Sequence, residues 1–96
     1  MIGCYILFTP SKNSYYIGYI QDSLEERLIK HNTGYYDSSY SGFTKDWVLF
    51  LFIECLSKHQ ALCIEKHIKR MKSRNYIENL KRYPEMVEKL LERYST

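Results

Sequence analysis

Residues 3–31, GCYILFTPSKNSYYIGYIQDSLEERLIKH, decide the fold of this chain. Residues 2–8 and 15–20 are rich in β-branched and aromatic side chains, which favour strands. Residues 9–14, between these two segments, have the composition of a turn. The pattern predicts a β-hairpin of two adjacent antiparallel strands.

Each predicted strand carries a tyrosine on a definable face. Side chains alternate between the faces of a strand, so Tyr5 shares a face with Leu7, and Tyr16 shares one with Gly18. Glycine weakens a strand, and one reason for Gly18 is that another group approaches the backbone closely beside Tyr16. The alternative is a bulge at Gly18, with tyrosines that only cover the sheet.

A short helix is predicted directly after the hairpin. Asp22 or Ser23 can cap it, each with a glutamate three residues later, and residues 32–34 (Asn-Thr-Gly) are typical of a helix end. His31 falls in the apolar stripe of this helix and Arg27 lies at its edge, so the two are neighbours facing the sheet. Inward polar groups need partners. The alternatives are a protonated histidine at the helix C-terminus and an arginine paired with a local glutamate.

The remaining elements complete a small mixed fold. Residues 47–53 are apolar throughout, which predicts a central strand covered on both sides. Three strands in a mostly antiparallel sheet, flanked by about four helices, make an α/β fold of the α+β type. Pro84 is well placed to begin a last helix over about residues 84–95, with an apolar stripe for packing. The chain is long enough for one domain, residues 1–96.

A carboxylate interrupts the apolar stripe of the predicted helix after residue 56. Ser57 can cap this helix, with Gln60 at capping-box spacing. The predicted buried stripe consists of Ala61, Ile64, Ile68 and Met71. Glu65 falls in the same arc, and two causes stay open. It can pair with Lys69 four residues on, or bind a divalent metal at the sheet surface.

Positive charge is concentrated in one part of the chain. The formal net charge is only +3, but residues 57–83 hold eight basic and two acidic side chains, a local charge of +6. The bases are Lys58, Lys66, Lys69, Arg70, Lys72, Arg74, Lys81 and Arg82. Such a cluster is typical of a surface that meets a phosphate backbone, and the alternative is a solvated helix face.

A long polar loop is predicted over residues 32–46. Its aromatic residues are Tyr35, Tyr36, Tyr40 and Phe43. They could stack on unpaired bases, with Lys45 nearby to meet phosphate, or fold back over the sheet.

Composition limits the class of protein further. No apolar run approaches the length of a membrane-spanning helix, and the N-terminus lacks the layout of a secretory signal, so a cytoplasmic protein is expected. Cys4, Cys55 and Cys63 are odd in number and lack metal-ligand spacing. They are expected to be reduced, buried thiols.

The ordered motifs of this chain resemble the GIY-YIG nuclease family. The likeness consists of Gly3-Cys4-Tyr5, ten intervening residues, Tyr16-Ile17-Gly18, Arg27, His31 four residues later, and Glu65 in a helix before a basic stretch. It covers about the first 80 residues and is closest to small stand-alone members. A catalytic core over about residues 1–82 is therefore implied, acting as a DNA endonuclease. Cys4 occupies the position where the family usually has isoleucine or valine, which is a tolerable change in a strand.

The resemblance also implies roles for individual residues. Tyr5 or Tyr16 is the general base, acting either directly or with His31 assisting. Arg27 meets the phosphate, and Glu65 holds a single Mg²⁺ or Mn²⁺. The expected nucleic-acid-binding residues are Lys45, Lys69, Arg70, Lys72 and Arg74. The expected partner is DNA, with branched or damaged DNA among the candidates, and no membrane. The protein itself is expected to be a monomer or a homodimer. The alternative function is a non-catalytic nucleic-acid-binding module of the same fold, whose tyrosines only pack.

Overall fold

A computed structural model describes residues 1–34 and 44–95 of the chain. The elements, in chain order, are β1 (Gly3–Thr9), β2 (Ser14–Ile20), α1 (Leu24–Asn32), β3 (Val48–Glu54), α2 (Lys58–Met71), α3 (Arg74–Arg82) and α4 (Pro84–Arg93). All strand pairing in the described part is antiparallel, so the predicted α+β fold with three strands and four helices is confirmed. The loop aromatics Tyr35, Tyr36, Tyr40 and Phe43 lie outside the described residues.

The strand order is β2-β1-β3, so β1 is the central strand. The prediction that residues 47–53 form the central strand is therefore wrong. An apolar run shows that both faces of a strand can pack, but it does not say how many neighbours the strand has. At the open end of β3, Val48 is 48% and Leu49 43% exposed. A shift of register between Ile6 and Leu7 marks an irregularity where β3 pairs with β1.

The sheet packs helices on both faces. On the first face, α1 supplies Leu24 and Leu28, and the buried members are Tyr5, Leu7, Ile20 and Trp47. On the second face, the helices after β3 cover the sheet, and the buried members include Cys4, Ile6, Ile53, Ala61, Ile64, Ile68, Ile77, Leu80 and Leu90. Strand β2 forms one edge of the sheet, so it borders both faces.

Serine caps set the starts of three helices. The Ser23 hydroxyl accepts from the Glu26 amide at 3.1 Å, which decides between the two predicted caps of α1. The Ser57 hydroxyl accepts from the Gln60 amide at 3.1 Å, as predicted for α2. Ser73 caps α3 in the same way. Each such cap contributes about 1 kcal/mol.

Two expectations about burial need correction. Met71 is 45% exposed, because α2 ends there and the next residue, Lys72, adopts a left-handed conformation with φ 47°. Cys4 and Cys55 are buried free thiols, as expected, but Cys63 is only partly buried. In the described part of the chain no helix is long and apolar enough to cross a membrane.

The hairpin turn is held from two sides. The Arg74 guanidinium donates to the backbone oxygen of Asn13 at 3.0 Å and lies 5.1 Å from the centre of the Tyr15 ring. On the other side, the Asp46 carboxylate accepts from the Ser11 amide at 2.9 Å. These contacts fix the hairpin against α3 and against the segment that leads into β3.

Candidate active site

Tyr5 lies at the centre of the first face. It is 1% exposed, and its phenol oxygen is 3.1 Å from His31 Nε2. Its cross-strand partner is Gly18, where an added Cβ would lie 2.7 Å from both Cζ and Oη of Tyr5. The group that approaches the backbone at Gly18 is therefore the Tyr5 ring itself. The glycine is required by the packing of the tyrosine.

His31 is buried near the C-terminus of α1, with 2% of its surface exposed. Burial, and then the positive charge of Arg27, lower the pKa of His31 from 6.5 to about 4. The imidazole is therefore neutral at pH 7, because burial and the Arg27 charge both disfavour the protonated form that was the alternative. In the tautomer with an unprotonated Nε2, the neutral ring accepts a hydrogen bond from the Tyr5 hydroxyl.

Tyr16 completes a group of three rings and is more accessible than Tyr5. Its ring centre lies 4.9 Å from that of His31 and 6.2 Å from that of Tyr5. It is half-buried on the edge strand β2, and it lines an open pocket of about 300 Å³ with Tyr15, Ile17 and Lys69. Of the two candidate phenols, Tyr5 is almost fully buried, whereas Tyr16 is half-buried and lines an open pocket.

Sequence reasoning missed Trp47 and Asn32 as parts of this site. The Asn32 side-chain amide donates to the backbone carbonyl of Trp47 at 2.9 Å and accepts from the backbone N–H of Trp47 at 2.7 Å. The Trp47 ring lies 6.1 Å from Tyr16 and 6.4 Å from His31, centre to centre. It therefore packs near both rings. The only signal in the sequence was that Asn32 follows His31. Asparagine is common at helix ends, so the sequence did not mark Asn32 as part of a site.

Arg27 stands at the edge of the ring group. It precedes His31 by one turn of α1, its side chain is 28% exposed, and its charge reaches the imidazole. Its Nη2 lies 3.9 Å from the Asp22 carboxylate, and a partly exposed ion pair at that distance contributes little to stability.

Glu65 is on the other side of the sheet from the ring group. It belongs to α2, which packs on the second face, and its side chain is 13% exposed. Oε2 lies 3.4 Å from Lys69 Nζ, so the ion pair predicted as one alternative is present. Lys69 also lines the pocket beside Tyr16, which brings the Glu65–Lys69 pair to the β2 edge of the site. The negative charge of Glu65 contributes, after burial, to raising the pKa of Cys4 above its usual range.

The donor set at Glu65 suits only some metals. Mg²⁺ commonly takes one or two carboxylates and keeps waters and substrate phosphate as its other ligands, so one carboxylate fits that mode of binding. Among residues 1–34 and 44–95, no three His, Cys, Asp or Glu side chains are grouped to hold an ion on their own. A metal at Glu65 would therefore depend on water and substrate for its remaining ligands.

The predicted nucleic-acid-binding residues differ in how free they are. Lys45, Lys69, Arg70 and Lys72 are exposed. Arg74 is exposed too, but its guanidinium also donates to Asn13 and lies 3.4 Å from Glu78. The structure thus gives Arg74 a part in holding the hairpin, and its contact with nucleic acid stays a prediction.

Comparison with known families identifies the chain. A family model described as the GIY-YIG catalytic domain matches residues 1–79. The chain belongs to the GIY-YIG nuclease family. It has no significant match among curated proteins or among solved structures.

The geometry explains why the two GIY-YIG tripeptides go together in this chain. They lie on adjacent strands, and Tyr5 of the first pairs with Gly18 of the second. Gly3 has no room for a Cβ either, because Ile53 O and the Phe52 ring occupy that space. Each glycine makes space for close packing across the sheet, and Tyr5 and Tyr16 are brought together as a result.

Proposed function

We propose that this GIY-YIG protein is a metal-dependent endonuclease that hydrolyses phosphodiester bonds in DNA. The observation that carries the proposal is the ring group on the first face. Tyr5, Tyr16 and His31 are in mutual contact, with Arg27 at the edge and an open pocket beside Tyr16. Packing alone does not require two phenols, an imidazole and a guanidinium at one place, where apolar side chains would fold at lower cost.

Tyr16 is the proposed general base. A phenol has an ordinary pKa near 10, so it needs nearby positive charge to act near neutrality, and Arg27 supplies it within the site. The Tyr16 phenolate takes a proton from a water molecule, whose oxygen attacks phosphorus. The bond from phosphorus to the leaving 3′ oxygen breaks, and that oxygen takes a proton from solvent. Arg27 donates to the non-bridging oxygens as their charge grows.

Tyr5 and His31 are proposed to position Tyr16. Tyr5 is almost fully buried, and its hydroxyl is held by His31. The neutral imidazole packs on the Tyr16 ring and accepts hydrogen bonds without adding a charge that would compete with Arg27. We propose that this arrangement keeps the Tyr16 ring in place beside the pocket.

Glu65 is the proposed ligand of one Mg²⁺ or Mn²⁺. When bound, such an ion supplies positive charge beside the scissile phosphate and the leaving oxygen. To bind the metal ion, Glu65 would give up its ion pair with Lys69. The exposed Lys69 side chain would then be able to contact the DNA backbone. Other exposed basic side chains are proposed to hold the DNA strand, namely Lys45, Arg70 and Lys72.

A cleavage assay with matched variants tests the proposal. Purified protein is incubated with branched, single-stranded and duplex DNA, in Mg²⁺ or in EDTA. Cutting is expected only with Mg²⁺, and Tyr16→Phe, Arg27→Ala and Glu65→Gln are each expected to reduce it by about 100-fold or more. Tyr19→Phe is the control, because Tyr19 lies on the same strand but packs against the second face and does not line the pocket at Tyr16.

The outcomes separate the proposal from its alternative. Cutting that survives both Arg27→Ala and Glu65→Gln would come from a contaminant or another site, and the proposal would be wrong. Binding that weakens with salt but never leads to cleavage would indicate the non-catalytic nucleic-acid-binding module instead.

A further inference from the structure

A second concave site lies on the helical side of the molecule. It is a pocket of about 180 Å³ between α2, α3 and α4, here called the helix pocket, and its lining residues are His67, Tyr76, Met86, Lys89, Leu90 and Arg93. It shares no lining residue with the pocket at Tyr16. We propose that the helix pocket binds a nucleotide unit, with its phosphate on Lys89 and Arg93 and its base over the apolar floor.

The charge of the helix pocket favours an anion. Lys89 and Arg93 are four residues apart on α4, which puts them on the same side of that helix. Arg70 of α2 is close enough to contribute to the same potential at His67. Within residues 44–95, none of these three cations forms an ion pair with a described acid. Positive groups that converge without a carboxylate attract an anionic ligand.

His67 senses this charge from inside the pocket. Burial, then Arg93 and Arg70, lower its pKa below the usual value. Its Nδ1 lies 2.9 Å from the Tyr94 hydroxyl, which fixes the ring and leaves Nε2 as the nitrogen not engaged by that contact. A phosphate bound at Lys89 and Arg93 would oppose the two guanidinium charges, and the pKa of His67 should rise.

The floor of the helix pocket argues for more than a free phosphate ion. Met86 and Leu90 of α4 and the ring of Tyr76 line it, and the Tyr76 ring lies 5.9 Å from His67. An inorganic anion would leave this apolar surface in water, whereas a nucleobase covers it and can stack on the tyrosine. The same chemistry is offered by a free mononucleotide and by one nucleotide of a strand.

NMR titration of the histidine ring protons tests the inference directly. The chain has three histidines, so His67 can be followed beside His31 and His59 as internal references. Adenosine 5′-monophosphate is titrated in EDTA, and it is expected to shift His67 and raise its pKa. Adenosine and inorganic phosphate, each alone, are expected to bind more weakly.

Matched variants show where the ligand sits. Lys89→Ala and Arg93→Ala are each expected to weaken binding of the mononucleotide by about threefold to tenfold, since each removes one contact to a charged phosphate. Lys58→Ala removes the same charge from the far end of α2 and should leave the affinity unchanged. Circular dichroism checks that every variant is folded.

Each outcome supports or overturns the inference. A shift of His67 with the mononucleotide, or with a short single strand, supports it, and the stronger of the two identifies the source of the ligand. The inference is overturned if neither moves His67 at millimolar concentration, or if phosphate alone binds as well as the mononucleotide. The test needs no cleavage, and Tyr16→Phe should bind normally, so it is independent of the proposed nuclease reaction.

Discussion

Gly18→Ala is the most direct test of how the two tyrosine motifs depend on each other. The new Cβ would lie 2.7 Å from Cζ and Oη of Tyr5 and 3.0 Å from its Cε1. Tyr5 cannot move its ring into solvent, because it is 1% exposed and its hydroxyl is held at His31. The ring or the strand must therefore shift.

The size of the effect follows from three contributions. Overpacking of a close-packed site costs about 1–3 kcal/mol. Loss of the hydrogen bond between Tyr5 and His31 costs about 1 kcal/mol. Replacing glycine by alanine restricts the unfolded chain, which offsets about 0.4–1 kcal/mol. Gly18→Ala should lower the free energy of unfolding by about 2 kcal/mol, or the melting temperature by about 10 °C.

Urea denaturation followed by the fluorescence of Trp47 measures this change, since the chain has one tryptophan and it contacts the site. The matched variant is Tyr5→Phe, which removes the same hydrogen bond without the clash. The free energy of unfolding of the double variant should be about 1 kcal/mol higher than the value obtained by adding the two single effects. The reason is that the hydrogen bond between Tyr5 and His31 can be lost only once. A Gly18→Ala protein as stable as the parent would refute the reasoning, and so would strict additivity.

Three further predictions concern stability. The pKa of His31 is lowered from 6.5 to about 4, so between these pH values the unfolded chain binds a proton that the folded chain does not. The free energy of unfolding should therefore fall by up to about 3 kcal/mol as the pH drops from 6.5 to about 4. Urea titrations of His31→Gln should show a flatter pH dependence. Arg74→Ala should cost about 1 kcal/mol in the same assay, through its contact with Asn13, while exposed Arg70→Ala should be neutral. Hydrogen bonds from two threonines hold the pKa of Asp46 well below its usual range, so its contribution to stability is complete at neutral pH and decreases as the pH falls below about 4. Asp46→Asn should lower the melting temperature at pH 7, and the difference from the parent protein should shrink steadily between pH 4 and pH 2.

Local patterns were sufficient for much of this fold. The hairpin, the start of α1 at one of two caps, and the cap of α2 at Ser57 all follow from short-range chemistry: alternation of side chains, turn composition and serine oxygens that satisfy helix N–H groups. The family could be identified from the order of Tyr5, Tyr16 and Arg27 for the same reason, because each motif lies within one element.

Long-range packing decided what local patterns left open. The edge position of β3 depends on strand order, which an apolar run does not encode. The rings around the buried His31 include Trp47, which is sixteen residues away and held by Asn32.

The sequence by itself determined which polar groups this protein carries on each strand and helix, because those positions follow from local periodicity. Only the tertiary structure decided that Tyr16 is the less buried of the two phenols, that Glu65 lies on the other face of the sheet from the ring group, and that Arg74 holds the hairpin turn. The physical reason is that accessibility and pairing depend on which elements meet across the core, and those contacts join residues far apart in the chain.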